Sequence, residues 1–223
     1  LIIMAQNTVG ARLVFENARN FVAGQGYDVS QAVLTQSYVR AEVALSATAA
    51  TYQLPIVVNS SLTTYNTARP VQLQDVHVVS EVGFFIAKPS SATATDFKLF
   101  TYPNSTVFST SASALNTLYN GFLNVQINNQ NVLPAIDIYR SYFVPQTQQA
   151  ANASYTASGI SLQDQNNGNE SGFTAIEPNL LLNGAANINA QVILPGAIST
   201  VDAGSRLVVI FRTILCQNVT SVK

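Results

Sequence analysis

The stretch from Leu118 to Thr147 limits most sharply what this chain can fold into. In Phe122–Ile127 the apolar Leu123, Val125 and Ile127 alternate with Asn124 and Gln126. That is the period-two pattern of a half-buried strand. Asn128–Asn131 follows, residues that tolerate positive φ, so the chain reverses there. The returning segment places Ile136, Ile138, Tyr142 and Val144 on one face, and Asp137, Tyr139, Ser141 and Phe143 on the other, before Pro145 closes it. Arg140 falls on the apolar face, where it has to snorkel or pair with a carboxylate. Ahead of the hairpin, Leu115, Leu118 and Tyr119 recur at helical spacing and predict a short helix ending at Asn120-Gly121.

The rest of the chain repeats this strand-and-turn grammar. Val39, Ala41, Val43 and Leu45 alternate with Arg40, Glu42 and Ser46. Tyr52–Val58 is interrupted by Pro55, which suits an edge or a bulge. Val71 and Leu73 are apolar at odd positions, Val76 and Val78 at even ones, a slip that predicts a bulge near Gln74-Asp75. Val82–Ile86 reads as buried on both faces, and Phe97–Tyr102 as a short strand. Leu180–Leu182, an Asn183-Gly184 turn, and Ile188, Ala190, Val192 and Leu194 alternating with amides echo the first hairpin. Arg206–Leu215 sets Leu207, Val209, Phe211 and Leu215 on one face and Val208, Ile210 and Ile214 on the other, beside Arg206 and Arg212. A strand apolar on both sides is central, or lies between its own core and a partner. About eight to ten strands separated by Gly, Pro and Asn turns predict an all-β chain. The expected fold is a single β-sandwich of jelly-roll or Greek-key type, with a short N-terminal helix and one small internal helix.

The N-terminal helix is expected over residues 5–22, where Val9, Leu13, Val14, Ala18, Phe21 and Val22 recur at helical spacing and Gly24-Gln25-Gly26 stops it. Residues 1–26 read as an arm or helix ahead of a sandwich domain at 27–223. Such a helix either packs on its own sheet or reaches a neighbouring copy. Leu1–Ile3, before Met4, are too short for a signal-peptide core and read as a processing product or an added remnant. Residues 150–172 hold no periodicity. Tyr155, Asp164, Asn166 and Glu170 mark them as a candidate binding loop, for a glycan, a receptor or, through oxygen ligands, calcium.

Composition narrows the function. Charged residues are 9% of 223, against about 25% in an average soluble domain. Asn, Gln, Ser and Thr fill the gap. A 23.8 kDa monomer exposes roughly 10,000 Å², so its 21 formal charges, ten basic and eleven acidic, fall at about one per 500 Å². Flanks so poor in charge suit a subunit covered by neighbours, where each charge would carry a desolvation cost. Net charge is −1 with no basic run, which argues against a nucleic-acid groove. No apolar run approaches the roughly 18 residues of a membrane span.

The inventory for catalysis is thin. His77, the only histidine, sits in a strand pattern, and Cys216, the only cysteine, reads as a small buried hydrophobe. Zinc, copper and Cys-His nucleophile sites therefore lack ligands. No nucleotide-binding glycine loop or nucleophile elbow is present. Asp137 and Glu177 would meet as a glycosidase pair only by accident of the fold. Neither an enzymatic activity nor a cofactor is expected.

The order Leu118-Tyr119-Asn120-Gly121, Asn124-x-Gln126-x-Asn128, Asp137-Ile138-Tyr139-Arg140 and Val144-Pro145-Gln146-Thr147 resembles virion structural proteins of tailed and tailless bacteriophages. Asn179–Gly184 and the closing Ile214–Asn218 are similar to them too. The resemblance covers roughly the C-terminal half. It implies a capsid subunit, major or auxiliary, that self-assembles into trimers or larger rings with other virion proteins, through an arm-like N-terminus. Val9, Leu13, Phe21, Arg140, Tyr142 and Arg212 are the candidate interface residues. The alternative is a lectin-like or adhesin module that binds through residues 150–172.

Overall fold

The computed structural model describes residues 9–57, 70–89, 97–105, 107–144 and 172–221. Helix α1 spans Val9–Gly24, and the first four residues of the expected helix, 5–8, lie outside the described residues. Among the described residues eleven strands follow: β1 Tyr27–Asp28, β2 Val33–Ala44, β3 Thr51–Leu54, β4 Val76–Pro89, β5 Phe97–Phe100, β6 Phe122–Ile127, β7 Gln130–Asp137, β8 Phe173–Asn183, β9 Ile188–Ile193, β10 Arg206–Gln217 and β11 Thr220–Ser221. The small internal helix α2, Ala112–Leu115, runs on as a 3-10 turn to Asn120. Every strand pair is antiparallel.

The pairing is nested: β2 with β10, β3 with β9, β4 with β8, β6 with β7. It is one long hairpin folded over on itself, with β10·β4 and β6·β9 joining its turns into two sheets. One sheet runs β2-β10-β4 with β5 and β8 both beside β4; the other runs β3-β9-β6-β7. That order is a jelly roll, with β5 as an addition to the eight strands. Between the sheets lies the main core, which includes Phe84, Phe108, Phe211, Leu118, Leu123 and Val209.

Several local expectations hold. Asn128 and Asn129 adopt φ of 51° and 64° and close the β6–β7 hairpin. β3 is an edge strand and stops one residue before Pro55. β10 is central, flanked by β2 and β4.

Four expectations are corrected. The slip near Gln74-Asp75 is a turn, with the Asp75 amide donating to the Gln72 carbonyl. The bulge lies at Ser80 instead, where β4 shifts register against both β8 and β10. That extra residue changes which parity faces inward, so Val79 and Val82 both reach the main core while Val76 and Val78 face the other way. Two expected strands thereby become one strand of fourteen residues. The segment returning from Asn131 leaves the strand after Asp137 and coils into a 3-10 turn, Ile138–Ser141. The Asp137 carboxylate caps that turn by accepting from the Tyr139 amide at 2.9 Å. Arg140 is therefore exposed on a turn and does not share a strand face with buried Ile138.

The turn at Asn183-Gly184 does not make a second hairpin. β8 belongs to one sheet and β9 to the other, so the chain crosses the sandwich there. Glycine is required by proximity: a Cβ at position 184 would lie 1.8 Å from the Gln72 carbonyl oxygen.

Candidate interaction surface

The outward face of the five-stranded sheet is not a solvent face. At one end α1 lies across it, burying Ala18 and Val22, with Phe15 and Phe21 partly covered, against Val76, Val78, Ile214 and Cys216. Of the two expectations for the N-terminal helix, packing on its own sheet is the one seen. The helix is rotated so that Leu13 and Val14 are left out, at 56% and 51% exposure. The side chain of Val9 lies outside the described residues.

At the other end the face carries charges held against aromatic rings. Glu42, expected on the polar side of its strand, is completely buried. Its carboxylate accepts from the Arg40 guanidinium at 2.8 Å and from Arg206 at 3.4 Å. Arg206 in turn stacks over Phe97, 3.9 Å from the ring centre. Six residues along β10, Arg212 donates to Glu81 at 2.8 Å and stacks over Phe173 at 3.8 Å. The missing side chain of Gly83 makes room for that ring: a Cβ there would come within 3.0 Å of Phe173 and closer still to Phe85. Cation–π contact and ion pairing thus keep each guanidinium flat on the sheet. Two-residue spacing is what brings these groups together, because Glu42, Val208 and Phe85 share one cross-strand row and Tyr38, Arg212 and Glu81 another.

Between these two ends is a cleft of about 360 Å³ lined by Val14 of α1, Gln36 and Ser37 of β2, the Ser80 bulge, Glu81, Arg212, Thr213 and Ile214. Its floor is polar. Exposed Tyr38 stands directly across the ladder from Arg212, and Leu13, next in sequence to Val14, is also exposed.

The candidate interface residues are therefore divided. Arg212 lines the cleft, Leu13 is exposed on α1 next in sequence to the lining residue Val14, and Phe21 packs under the helix. Arg140 and Tyr142 sit at the separate 3-10 corner. There Tyr139 stacks on Tyr142 at 5.8 Å and Tyr142 meets Tyr119 edge-on at 5.0 Å. Burial raises the pKa of Tyr119, and its hydroxyl has no partner among the described residues. The candidate loop residues Tyr155, Asp164, Asn166 and Glu170 lie outside the described residues.

His77 is a satisfied core histidine: Nδ1 is 2.9 Å from the Thr213 hydroxyl and Nε2 is 3.7 Å from Asp75. Cys216 is buried under α1, and burial pushes its thiol up to about 11, which leaves little thiolate to react. Among the described residues no three His, Cys, Asp or Glu side chains converge as metal ligands. No helix among them is long and apolar enough to cross a membrane.

Reading the sequence alone missed Glu42. Its signal was faint: Arg40 and Glu42 read as the polar half of an alternating strand and Arg206 as the start of another, and only the β2·β10 register shows that they meet. No protein-family model, curated protein or solved structure matches the chain.

Proposed function

We propose that this chain is a virion structural protein, a capsid subunit of the bacteriophage type, major or auxiliary, that works by packing against copies of itself and other shell proteins. The observation that carries the reading is the outward sheet face. Its arginines and carboxylates are turned on one another, and Leu13, Val14 and Tyr38 are left uncovered around a cleft. Charge arranged in this way does little to keep two such faces apart, and the apolar rim gains by being covered. The jelly roll supports the reading as a fold common among capsid subunits, and it is equally a fold of lectins. The sparse charge of the whole surface supports it independently.

Light scattering at physiological salt, with negative-stain images of the same material, tests the proposal. A trimer, larger ring or shell is expected, and Leu13→Asp combined with Val14→Asp is expected to disperse it while the far-ultraviolet spectrum stays that of the folded chain. A wild-type protein that remains monomeric at high concentration overturns it.

A further inference from the structure

The sheet edges differ in how they are guarded. β3 and β5 are four residues long, and β3 is closed by Pro55. β7 carries Pro134 and a positive φ at Ala135, and its register against β6 slips twice. β8 carries Pro178 and is paired out of register past Val79. These are the devices by which sheets avoid edge-to-edge pairing. β2 has none of them. It runs twelve residues without proline or glycine, in unbroken register from Gln217↔Val33 to Arg206↔Ala44. Among the described residues it pairs with β10 alone. Every second residue of β2 therefore turns its N–H and C=O away from the sheet.

We infer that the Val33–Val39 half of β2 is a strand-pairing edge, and that its partner is the same segment of a second copy, antiparallel across a two-fold axis centred on Gln36. Among the described residues no strand occupies the outer side of β2, and such a side specifies an extended backbone as its occupant. The side chains then specify a copy. An axis normal to the sheet keeps the outward face outward in both subunits, so even-numbered residues must meet even-numbered ones. Centring on Gln36 sets amide against amide, Leu34 against Tyr38, Thr35 against Ser37 and Val33 against Val39. Each is a favourable cross-strand pair, and no charge lies in the segment to oppose its like. Val33 and Tyr38, both exposed in the single chain, are covered together. Arg40 and Glu42 stay outside the paired segment and keep their own contacts. The result is one ten-stranded sheet, five strands from each copy. The inference rests on the reading that copies of this chain associate, and it fixes one of the contacts.

Sedimentation and light scattering of the full chain, with Q36K and Q36C variants, test it. Q36K sets two ammonium groups opposite each other and is expected to weaken association by roughly tenfold or more. Q36C is expected to form an intermolecular disulfide on mild oxidation, whereas S37C, which meets Thr35, is not. Circular dichroism confirms that each variant is folded, and the disulfide reads out pairing even if Q36K is unstable. Association that is indifferent to Q36K, with no Q36C disulfide, overturns the edge pairing and leaves self-assembly through other surfaces standing. A wild-type chain that stays monomeric overturns both readings.

Discussion

On β10, Leu207, Val209 and Phe211 point into the jelly roll while Arg206, Val208, Ile210 and Arg212 point away from it. The inner row is fully buried, whereas in the outer row only Val208 is, with Arg206 and Ile210 partly covered and the Arg212 side chain 40% exposed. The inner row is covered by the second sheet, an apolar layer facing an apolar layer. The outer row is covered piecemeal, by a helix at one end and by guanidinium groups lying on Phe97 and Phe173 at the other. A packed layer stabilises through area and shape. A charged cover stabilises only while every member stays paired, and it can be opened or extended by a neighbour.

Substitution on the two faces should separate these mechanisms, and the largest effect belongs to the inner one. Phe211→Ala removes a fully buried ring and is expected to lower unfolding free energy by about 3–5 kcal/mol, read by urea denaturation. On the outer face Glu42→Ala leaves two guanidinium groups with a lost partner and is expected to cost about 3 kcal/mol. Replacing Arg40, Glu42 and Arg206 together by apolar residues should recover most of that loss. If the triple variant is as unstable as the single, the outer cover packs like the inner core and the contrast fails.

A charged pair near the inner core, Asp202 with Lys88, sharpens the comparison. Asp202 accepts from Thr110 and Ser111, both at 2.6 Å, and pairs with Lys88 at 3.3 Å, beside the core ring of Phe108. Burial pushes its carboxyl up, but the two hydroxyl donors and the lysine together hold it below the ordinary range. A carboxyl held down when folded adds stability above its unfolded pKa and loses it as pH falls through the folded one. Stability should therefore drop on acidification below about pH 4, and Asp202→Asn should flatten that part of the pH profile at a cost of about 1 kcal/mol near neutrality.

The smallest effect on folding is expected at the rim. Leu13→Asp changes an exposed residue and should alter stability by less than about 0.5 kcal/mol, while shifting the sedimentation profile toward smaller species. An unchanged profile would move the assembly surface away from α1.

Much of the fold was legible because strands announce themselves by alternation. Phe122–Ile127, Ile188–Leu194 and Arg206–Leu215 each read correctly as strands, and the asparagine turn between β6 and β7 closes as its residues predict. Misreadings arose where one local signal serves two tertiary outcomes. Asn183-Gly184 carries a hairpin's turn chemistry, but its glycine answers to the Gln72 carbonyl of the turn that leads into the neighbouring strand β4. The run after Asn131 alternates as a strand should, yet the Asp137 carboxylate captures the Tyr139 amide and the chain turns into a 3-10 coil. The candidate surface was less legible still. Arg212 was visible as a charge out of place, whereas Glu42 looked like an ordinary solvent-facing residue until β2 and β10 were set in register.

By itself the sequence determined the all-β class, the two-sided apolar character of the last long strand, the N-terminal helix and the scarcity of charge. Each depends on the spacing or kind of residues close together in the chain. Only the tertiary structure decided the nested strand order, the bulge at Ser80, the burial of Glu42 and the cleft between α1 and the sheet. Those depend on which distant backbones hydrogen-bond, and a period of two is the same whichever neighbour a strand finds.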